Sequence, residues 1–287
     1  MNAEGNFVGF PGLTMPGEAN SQSMWSMMEA LFPIYRSLLG PGYKDSLDVI
    51  DKYLPLEVTE FPSGQEVFDW TIPKEFKVNE AWVEGPDGTR VLDFDIHPYC
   101  VWIYSQSFSG EMDLDELKEK IATDPNLPHA YPMRQTYYRE AWGLSAPYDL
   151  VEELKPGRYK VHIDTDLYDG VLRIGEAYLP GEVEEEILIN SYLCHPRGAN
   201  DNLSGVVAAV EIFRMLAEMP DRHYSYRLAL WPEGIGVIAY MANYPERLAK
   251  TIGGYQLGIC GDGAPVSLDQ TFAGDTIFDR AVKHAME

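Results

Sequence analysis

The sequence has few cysteines and few basic residues. Three cysteines among 287 residues, Cys100, Cys194 and Cys260, are too few and too odd in number for a disulfide framework. Reduced thiols are the default in the cytosol, so we expect a cytoplasmic protein. Lysine and arginine number 22 against 45 acidic residues, and the formal net charge is −23. That balance argues against nucleic acid and anionic membranes as partners, because both attract clustered cations.

Long apolar runs are absent as well. No stretch approaches about 18 uninterrupted apolar residues, so no transmembrane helix is predicted. The first residues lack the basic and apolar regions of a secretory signal, and we expect a loose tail there. A hydrophobic share of 45% and an aromatic share of 12% are typical of a globular protein with a substantial core.

Strands and helices alternate in the C-terminal third. The runs "EEEILINSYLCH", "HYSYRLALWPE" and "IGGYQLGICGD" predict strands, and the segments between and after them predict helices. This alternation indicates a largely parallel sheet with helices on both faces. The middle of the chain differs, with strand-like runs such as "AWVEGPDGTRVLDF", "YCVWIYSQSFSG" and "GRYKVHIDTD" and one predicted helix, "DLDELKEKIATD". Within it, "PDGT" predicts a hairpin turn.

These patterns divide the chain into four parts. We predict an α/β fold with a loose tail over 1–22, an N-terminal part of the core domain over 23–65, an inserted β-rich domain over 66–180, and the α/β core over 181–287.

Metal-capable side chains follow three consecutive predicted strands. His195 ends the first strand, with Asp201 six residues further on; Glu233 ends the second and Asp262 the third. Because functional sites in open α/β sheets gather at the carboxyl ends of the strands, we expect these four side chains at one edge. Imidazole and carboxylate groups are zinc ligands, so the arrangement favours a metal site.

Each of these residues also has a structural interpretation. Asp201 or Asn202 could be the N-cap of the following helix. His195 could be a turn residue, and Glu233 a solvated loop acid. Asp262, between two glycines, could serve a turn.

The two cysteines near these positions are predicted to have structural roles. Strand alternation points Cys194 away from His195, which favours a small buried group. Cys260 has the same parity as Asp262 and could approach the site, but a core role is favoured.

The stretch "CHPRGANDNLSGVVAAVEIF" resembles the metal-binding turn of the co-catalytic zinc aminopeptidases. That turn has a histidine, then an aspartate followed two residues later by a small residue, serine and glycine. Further stretches, among them "LFPIYRSLLGPGYKDSLDVI", "VTEFPSGQEVFDWTIPKEF", "WPEGIGVIAYM" and "GICGDGA", resemble a bacterial group of aminopeptidase-like domain proteins of unknown function in the same clan. The matching stretches span about residues 25–275.

The resemblance implies a three-layer zinc-exopeptidase-like fold with a mixed sheet, helices on both faces and a small β-rich lid inserted, and one or two zinc ions. His195 and Asp262 would hold one metal, and Asp201 would bridge two. Glu233 falls where the clan has two successive glutamates, a general base followed by a ligand. Here Pro232 precedes Glu233, so its role as ligand or catalytic base stays open.

The sequence departs from the clan after Asp262. Relatives carry one more metal-binding histidine downstream, whereas His284 lies in a helix-like pattern and is predicted to be a surface residue. The chain therefore resembles a fragment or a shortened relative. A sheet cut at this point would expose apolar surface, which favours self-association into a homo-oligomer.

Three functional hypotheses follow. The first is a zinc-dependent aminopeptidase-like hydrolase that cleaves a small peptide or amide substrate through metal-activated water. The second is a non-catalytic descendant that binds a saccharide or peptide at the same edge. The third is a single-zinc acyltransferase of the glutaminyl-cyclase kind.

Overall fold

Two main β-sheets organise the chain, and the computed structural model describes residues 18–287. Most of the predicted tail over 1–22 lies outside the described residues, and the first helix begins at Glu18. The helices are α1 (Glu18–Leu31), α2 (Pro41–Asp51), α3 (Leu114–Lys118), α4 (Tyr148–Glu152), α5 (Gly205–Glu218), α6 (Ile235–Asn243), α7 (Pro245–Leu248) and α8 (Ile277–Met286). A 3-10 turn spans Pro98–Cys100, and a π-helical turn spans Ala199–Ser204.

The strands are short except for those that form the centre of each sheet. They are β1 (Glu57–Pro62), β2 (Glu66–Val67), β3 (Trp70–Thr71), β4 (Glu75–Glu84), β5 (Arg90–Asp93), β6 (Phe108–Asp113), β7 (Ile121–Ala122), β8 (Leu144–Ser145), β9 (Arg158–Tyr168), β10 (Val171–Leu179), β11 (Glu186–Tyr192), β12 (Ser225–Trp231) and β13 (Thr251–Gln256).

The main sheet is mixed, with the strand order β1-β10-β12-β11-β13. Strand β11 runs parallel to both β12 and β13, whereas β10 is antiparallel to β1 and β12. The parallel strands arise from the alternating apolar runs and helices that the sequence predicts, because α5 and α6 return the chain to the same end of the sheet.

Helices cover the main sheet on both faces. A Cβ atom at Gly175 of β10 would lie 2.7 Å from Leu47 Cδ2 of α2. The next residue, Glu176, accepts a hydrogen bond from Tyr240 of α6 (3.1 Å). Since successive residues of a strand face opposite sides, α2 and α6 pack on different faces. The predicted α/β fold with a mixed sheet and helices on both faces is confirmed.

A second sheet, which we call the lid sheet, has the order β5-β4-β9-β6 with every pair antiparallel. It lies between β1 and β10 in the chain, as an insertion into the main sheet. The hairpin predicted at "PDGT" is confirmed, because Glu84 pairs with Arg90 across it. Strand β10 lies within the predicted insertion boundary of 66–180 but pairs in the main sheet. The alternation of apolar and polar residues identifies a segment as a strand, but it does not tell which sheet the strand joins.

The apolar run "YCVWIYSQSFSG" differs from its predicted strand. Val101 and Ile103 make only isolated bridges, and β6 begins at Phe108. Tyr104 has a φ of 68°, which turns the chain out of an extended path. The run is apolar because its side chains are buried and not because it pairs in a sheet. The helix predicted at "DLDELKEKIATD" is likewise short, at Leu114–Lys118.

A buried charge network joins the main sheet to α6 and α7. The Glu176 side chain is only 3% exposed and accepts hydrogen bonds from Arg227 (3.2 Å) and Arg247 (3.1 Å). Tyr240 donates to the same carboxylate. Removing one member of such a network leaves the other buried charges without their partner, which costs more than the pair itself contributes.

No helix among the described residues is long and apolar enough to cross a membrane.

We expect Glu176→Ala to lower the free energy of unfolding by about 3 kcal/mol, because Arg247 and Tyr240 then lose their buried carboxylate partner and Arg227 keeps only Glu186. Denaturant titration measures the loss. The matched control is Asp48→Ala, which removes an exposed pair with Lys44 (2.6 Å) and should change stability little. Equal losses in the two variants would contradict the role given to burial.

Candidate functional site

The candidate site lies where β11 and β12 end side by side. Tyr192, the last residue of β11, pairs with Trp231, the last residue of β12. His195 and Glu233 follow within three residues, so both emerge at the same edge of the sheet. Strand β13 ends at this edge too, at Gln256, and the next amide, Leu257 N–H, donates to Asn190 O (2.9 Å).

Two side chains far away in the sequence hold the backbone around His195. Arg36 is fully buried and donates to the carbonyl of His195 (2.8 Å). Tyr99, which the lid insertion supplies, donates its hydroxyl proton to the carbonyl of Pro196 (2.6 Å). Burial lowers the pKa of Arg36 to about 10, so the guanidinium stays charged at neutral pH. Sequence reasoning missed both residues; the available signal was a lone arginine within the apolar segment between α1 and α2.

The structure brings His195 and Glu233 together. Nε2 of the buried His195 ring lies 3.7 Å from Oε2 of Glu233, whose side chain is 59% exposed. On the other side of the ring, Nδ1 lies 3.8 Å from Cys194 Sγ, and the Glu233 amide donates to that sulfur (3.4 Å). The expectation that Cys194 points away from His195 is therefore wrong. Strand geometry ends at Tyr192, so the alternation of faces does not extend to residue 194.

These three residues form a group that could hold a metal ion. Their candidate ligand atoms all lie within 4.8 Å of one another. Ligands of one tetrahedral zinc ion lie about 3.4 Å apart when each bond is about 2.1 Å, so the separation of His195 and Glu233 fits one ion. With the ring proton on Nδ1, that atom donates to Cys194 and leaves the Nε2 lone pair for a metal. Burial raises the pKa of the Cys194 thiol to about 12, so without a bound metal it is protonated and serves as a hydrogen-bond partner of the ring.

Asp201 approaches this group through Tyr192. The Tyr192 hydroxyl donates to Asp201 Oδ1 (2.8 Å), and the Tyr192 ring packs edge-on against the His195 ring with centroids 5.2 Å apart. Burial and the bond to Asp201 raise the pKa of Tyr192 well above its usual value, so it remains a proton donor. The Asp201 side chain is exposed and is not a member of the three-residue group. Sequence reasoning missed Tyr192, which its position at the end of β11 could have suggested.

The other polar residues of "ANDNLSG" hold the loop together. Backbone amides of three successive residues donate to them: Ile259 to Asn202 (3.1 Å), Cys260 to Ser204 (2.8 Å) and Gly261 to Asn200 (2.7 Å). A Cβ at Gly205 would lie 2.4 Å from Leu257 O, so glycine permits this close approach. The N-cap of α5 is Ser204, so neither Asp201 nor Asn202 has the capping role that sequence reasoning left open.

Asp262 lies next to this loop, but its carboxylate serves a local turn. Oδ1 accepts the Ala264 amide proton (2.9 Å), and the side chain is exposed. The strand before it ends at Gln256, earlier than predicted, so Asp262 is not at a strand end.

Cys260 is exposed, which makes the predicted core role wrong. His284 is exposed on α8, as predicted.

The fold and the site edge define an aminopeptidase-like α/β protein. Structural comparison supports this class: a zinc aminopeptidase from Bacillus subtilis superposes with a TM-score of 0.61 over 95% of this chain and 77% of its own, at 13% identity. At that identity the likeness shows the fold alone, and it confirms the predicted zinc-exopeptidase-like architecture.

The chain belongs to the family described as domain of unknown function DUF4910, whose model matches residues 25–287. A relative from Clostridium acetobutylicum, named as a candidate polysaccharide biosynthesis protein with an aminopeptidase-like domain, is 38% identical over 263 residues. A crystal structure from the same species, described as a candidate peptidase, has a TM-score of 0.88 at 38% identity over 93% of this chain. The chain spans 60% of the first relative's length and 63% of the second's.

We expect Asn202→Ala to lower the free energy of unfolding by about 2 kcal/mol, because Asn202 is buried and its side chain pairs the Tyr192 carbonyl and the Ile259 amide. The Ser191 hydroxyl loses one bond but keeps the one it donates to Leu257 O. Hydrogen exchange should show a faster-exchanging Ile259 amide. The control, Asn79→Ala, removes one exposed bond to Asp166. Unchanged protection at Ile259 would contradict the loop role.

The three cysteines should differ in reactivity. Burial raises the pKa of the Cys100 and Cys194 thiols to about 12, whereas Cys260 is exposed. Iodoacetamide at pH 8 should therefore alkylate Cys260 in the folded chain, with the other two reacting only after unfolding. Peptide mapping by mass spectrometry measures each site. Comparable rates at Cys194 and Cys260 would contradict the packing described here.

Proposed function

We propose that this chain forms the aminopeptidase-like core of a zinc-dependent hydrolase that cleaves a peptide or amide bond in a small substrate. The observation that carries the proposal is the His195–Glu233 pair, with Nε2 and Oε2 3.7 Å apart at the carboxyl edge of parallel strands. Family membership and the zinc aminopeptidase fold support it.

The buried His195 and the exposed Glu233 would have different roles. His195 is buried and fixed through its backbone by Arg36, so it would hold zinc in a defined position. When bound, zinc would polarise the amide carbonyl and lower the pKa of a water molecule. Glu233 is exposed, so its carboxylate can reach a substrate, accept a proton from the attacking water and pass it to the leaving amine.

Asp201 would be an anionic ligand of the same zinc, oriented by Tyr192. The phenol proton occupies one lone pair of Oδ1, and the ring of the same tyrosine packs against the His195 ring. Such outer hydrogen bonds tune the position and basicity of metal ligands. Asp262, predicted as a ligand of the same metal, would have to leave its bond to the Ala264 amide to take part.

A second candidate is binding of a saccharide or peptide without catalysis. Two observations favour it: Asp262 is engaged in its own turn, and the Clostridium relative is named for polysaccharide biosynthesis. The acyltransferase hypothesis has no such observation in its favour among the described residues.

Elemental analysis and turnover test the proposal on the same purified chain. We expect bound zinc and hydrolysis of an aminoacyl p-nitroanilide, with Glu233→Gln lowering turnover about a hundredfold or more because proton transfer is lost. Asp201→Ala should lower zinc content as well. The matched control is Glu246→Gln, an exposed glutamate on α7.

The outcomes separate the two candidates. A folded chain that binds no added zinc and hydrolyses none of a panel of aminoacyl amides would overturn the hydrolase proposal and favour binding alone. Equal turnover in the Glu233→Gln and Glu246→Gln variants would remove Glu233 from the chemistry.

A further inference from the structure

A cavity of about 410 Å³ opens on the lid side of the chain. It is lined in part by aromatic and charged side chains: Lys74, Tyr104, Tyr137, Tyr138, Arg139 and Glu140. We call it the lid cavity. No residue of the His195–Glu233 pair lines it, so its side chains are available for a role distinct from the proposed chemistry.

The lid cavity adjoins the candidate site through one chain segment, residues 97–106. At one end Tyr99 binds the carbonyl of Pro196, next to His195. Further along, Ile103 is hydrogen-bonded to the carbonyl of Arg134 and to the amide of Thr136, which places Tyr137 beside this segment. The Tyr104 and Tyr137 rings lie 5.8 Å apart.

A second connection comes from the β2–β3 hairpin, which carries Trp70. This hairpin contacts α6, and Gln65 just before it donates to Asn243 at the end of that helix (2.9 Å). Helix α6 begins two residues after Glu233. Burial and a hydrogen bond to Tyr138 raise the pKa of Tyr137, with lesser contributions from Cys194 and Glu233.

The rings at the mouth of the lid cavity form a fixed platform. Tyr138 is 67% exposed, yet its ring lies 3.8 Å from the Tyr137 ring and packs edge-on against Trp70 at 5.4 Å. The Tyr137 and Tyr138 hydroxyls are also hydrogen-bonded to each other. Aromatic side chains held in this way lose little conformational entropy when a flat ligand packs on them.

The charge of the lid cavity is opposite to that of the chain. Acidic residues outnumber basic ones 45 to 22 overall, but Lys74 and Arg139 face a single acid, Glu140, in the lining. Lys74 makes a loose, exposed pair with Asp169 at 4.0 Å. Among the described residues, Arg139 has no carboxylate within ion-pair distance. A guanidinium beside aromatic side chains favours a ligand that has both a carboxylate, which pairs with the guanidinium, and a ring, which packs on the aromatic side chains.

We propose that the lid cavity binds a six-membered ring that carries a carboxylate, as one end of the molecule whose amide reaches Glu233. This inference rests on the proposed function only in treating that molecule as a substrate. Ring and carboxylate could come from a uronic acid or from an aromatic acid, since both offer a six-membered ring with a C–H or π face to pack on tyrosine and a carboxylate to pair with Arg139.

Ligand-detected NMR titration tests the site with four probes: glucuronate and benzoate, and their neutral counterparts glucose and benzyl alcohol. We expect saturable binding of at least one acid, with both neutral probes weaker. Arg139→Gln should raise the Kd about fivefold, the size expected of an exposed charge contact. Tyr138→Ala should raise it by about the same factor, because ring packing is lost. Added salt should weaken the binding, because the charges are solvent-exposed.

The matched controls are Arg158→Gln and Tyr178→Ala. Arg158 is exposed on the lid sheet and Tyr178 is exposed on β10, outside the lining. Binding that these controls leave unchanged supports the proposal, and the stronger acid identifies the source of the ring. Absence of saturation for both acids, equal affinity for the neutral probes, or equal effects of Arg139→Gln and Arg158→Gln would overturn it. No probe is hydrolysable, so failure here is separate from failure of the hydrolase proposal.

Discussion

The parallel pairing of β11 with β12 is the constraint on which the candidate site depends. Because Tyr192 and Trp231 form the last pair of the two strands, the segments that follow them leave the sheet side by side. His195 and Glu233 follow within three residues and have no room to diverge. A slip of one residue in this register would turn every side chain of β11 to the other face and separate the pair. The register is fixed by buried residues of both kinds: Ile189 packs beside Leu228 in the core, and Arg227 donates to the buried Glu186.

In the loop after β11, polar side chains that hold the structure together alternate with one that faces outward. Asn200, Asn202 and Ser204 face the segment after β13 and satisfy its backbone amides, whereas Asp201 between them faces solvent and Tyr192. Buried backbone N–H groups need hydrogen-bond acceptors, and the side chains of the loop provide them. A crowd of polar residues at a strand end is therefore not by itself a ligand set. Here one residue in the group is free to point outward.

The sequence allowed the sheet, the helices and the convergence of His195 with Glu233 to be predicted, because hydrophobic period and strand order determine them. It could not place Cys194, since alternation of faces stops at Tyr192, where the strand stops. It also placed Asp262 at a strand end, whereas β13 ends at Gln256. Arg36 could not be found either. Its contact with the His195 carbonyl joins residues 159 positions apart, and no local pattern encodes such a pairing.

The lid insertion contributes a hydrogen bond to the candidate site. Tyr99 fixes the carbonyl of Pro196, and Tyr104, on the same segment, donates to the carbonyl of Lys74 and lines the lid cavity. One short segment thus contacts both the histidine loop and the surface proposed to hold the far end of a substrate. Tyr104 is almost fully buried, and the segment packs through it into the core, so the two places are held at a fixed distance. For the proposed substrate, that rigidity would select by length: a molecule with too short a link between its ring and its amide would fill the lid cavity or reach Glu233, but not both.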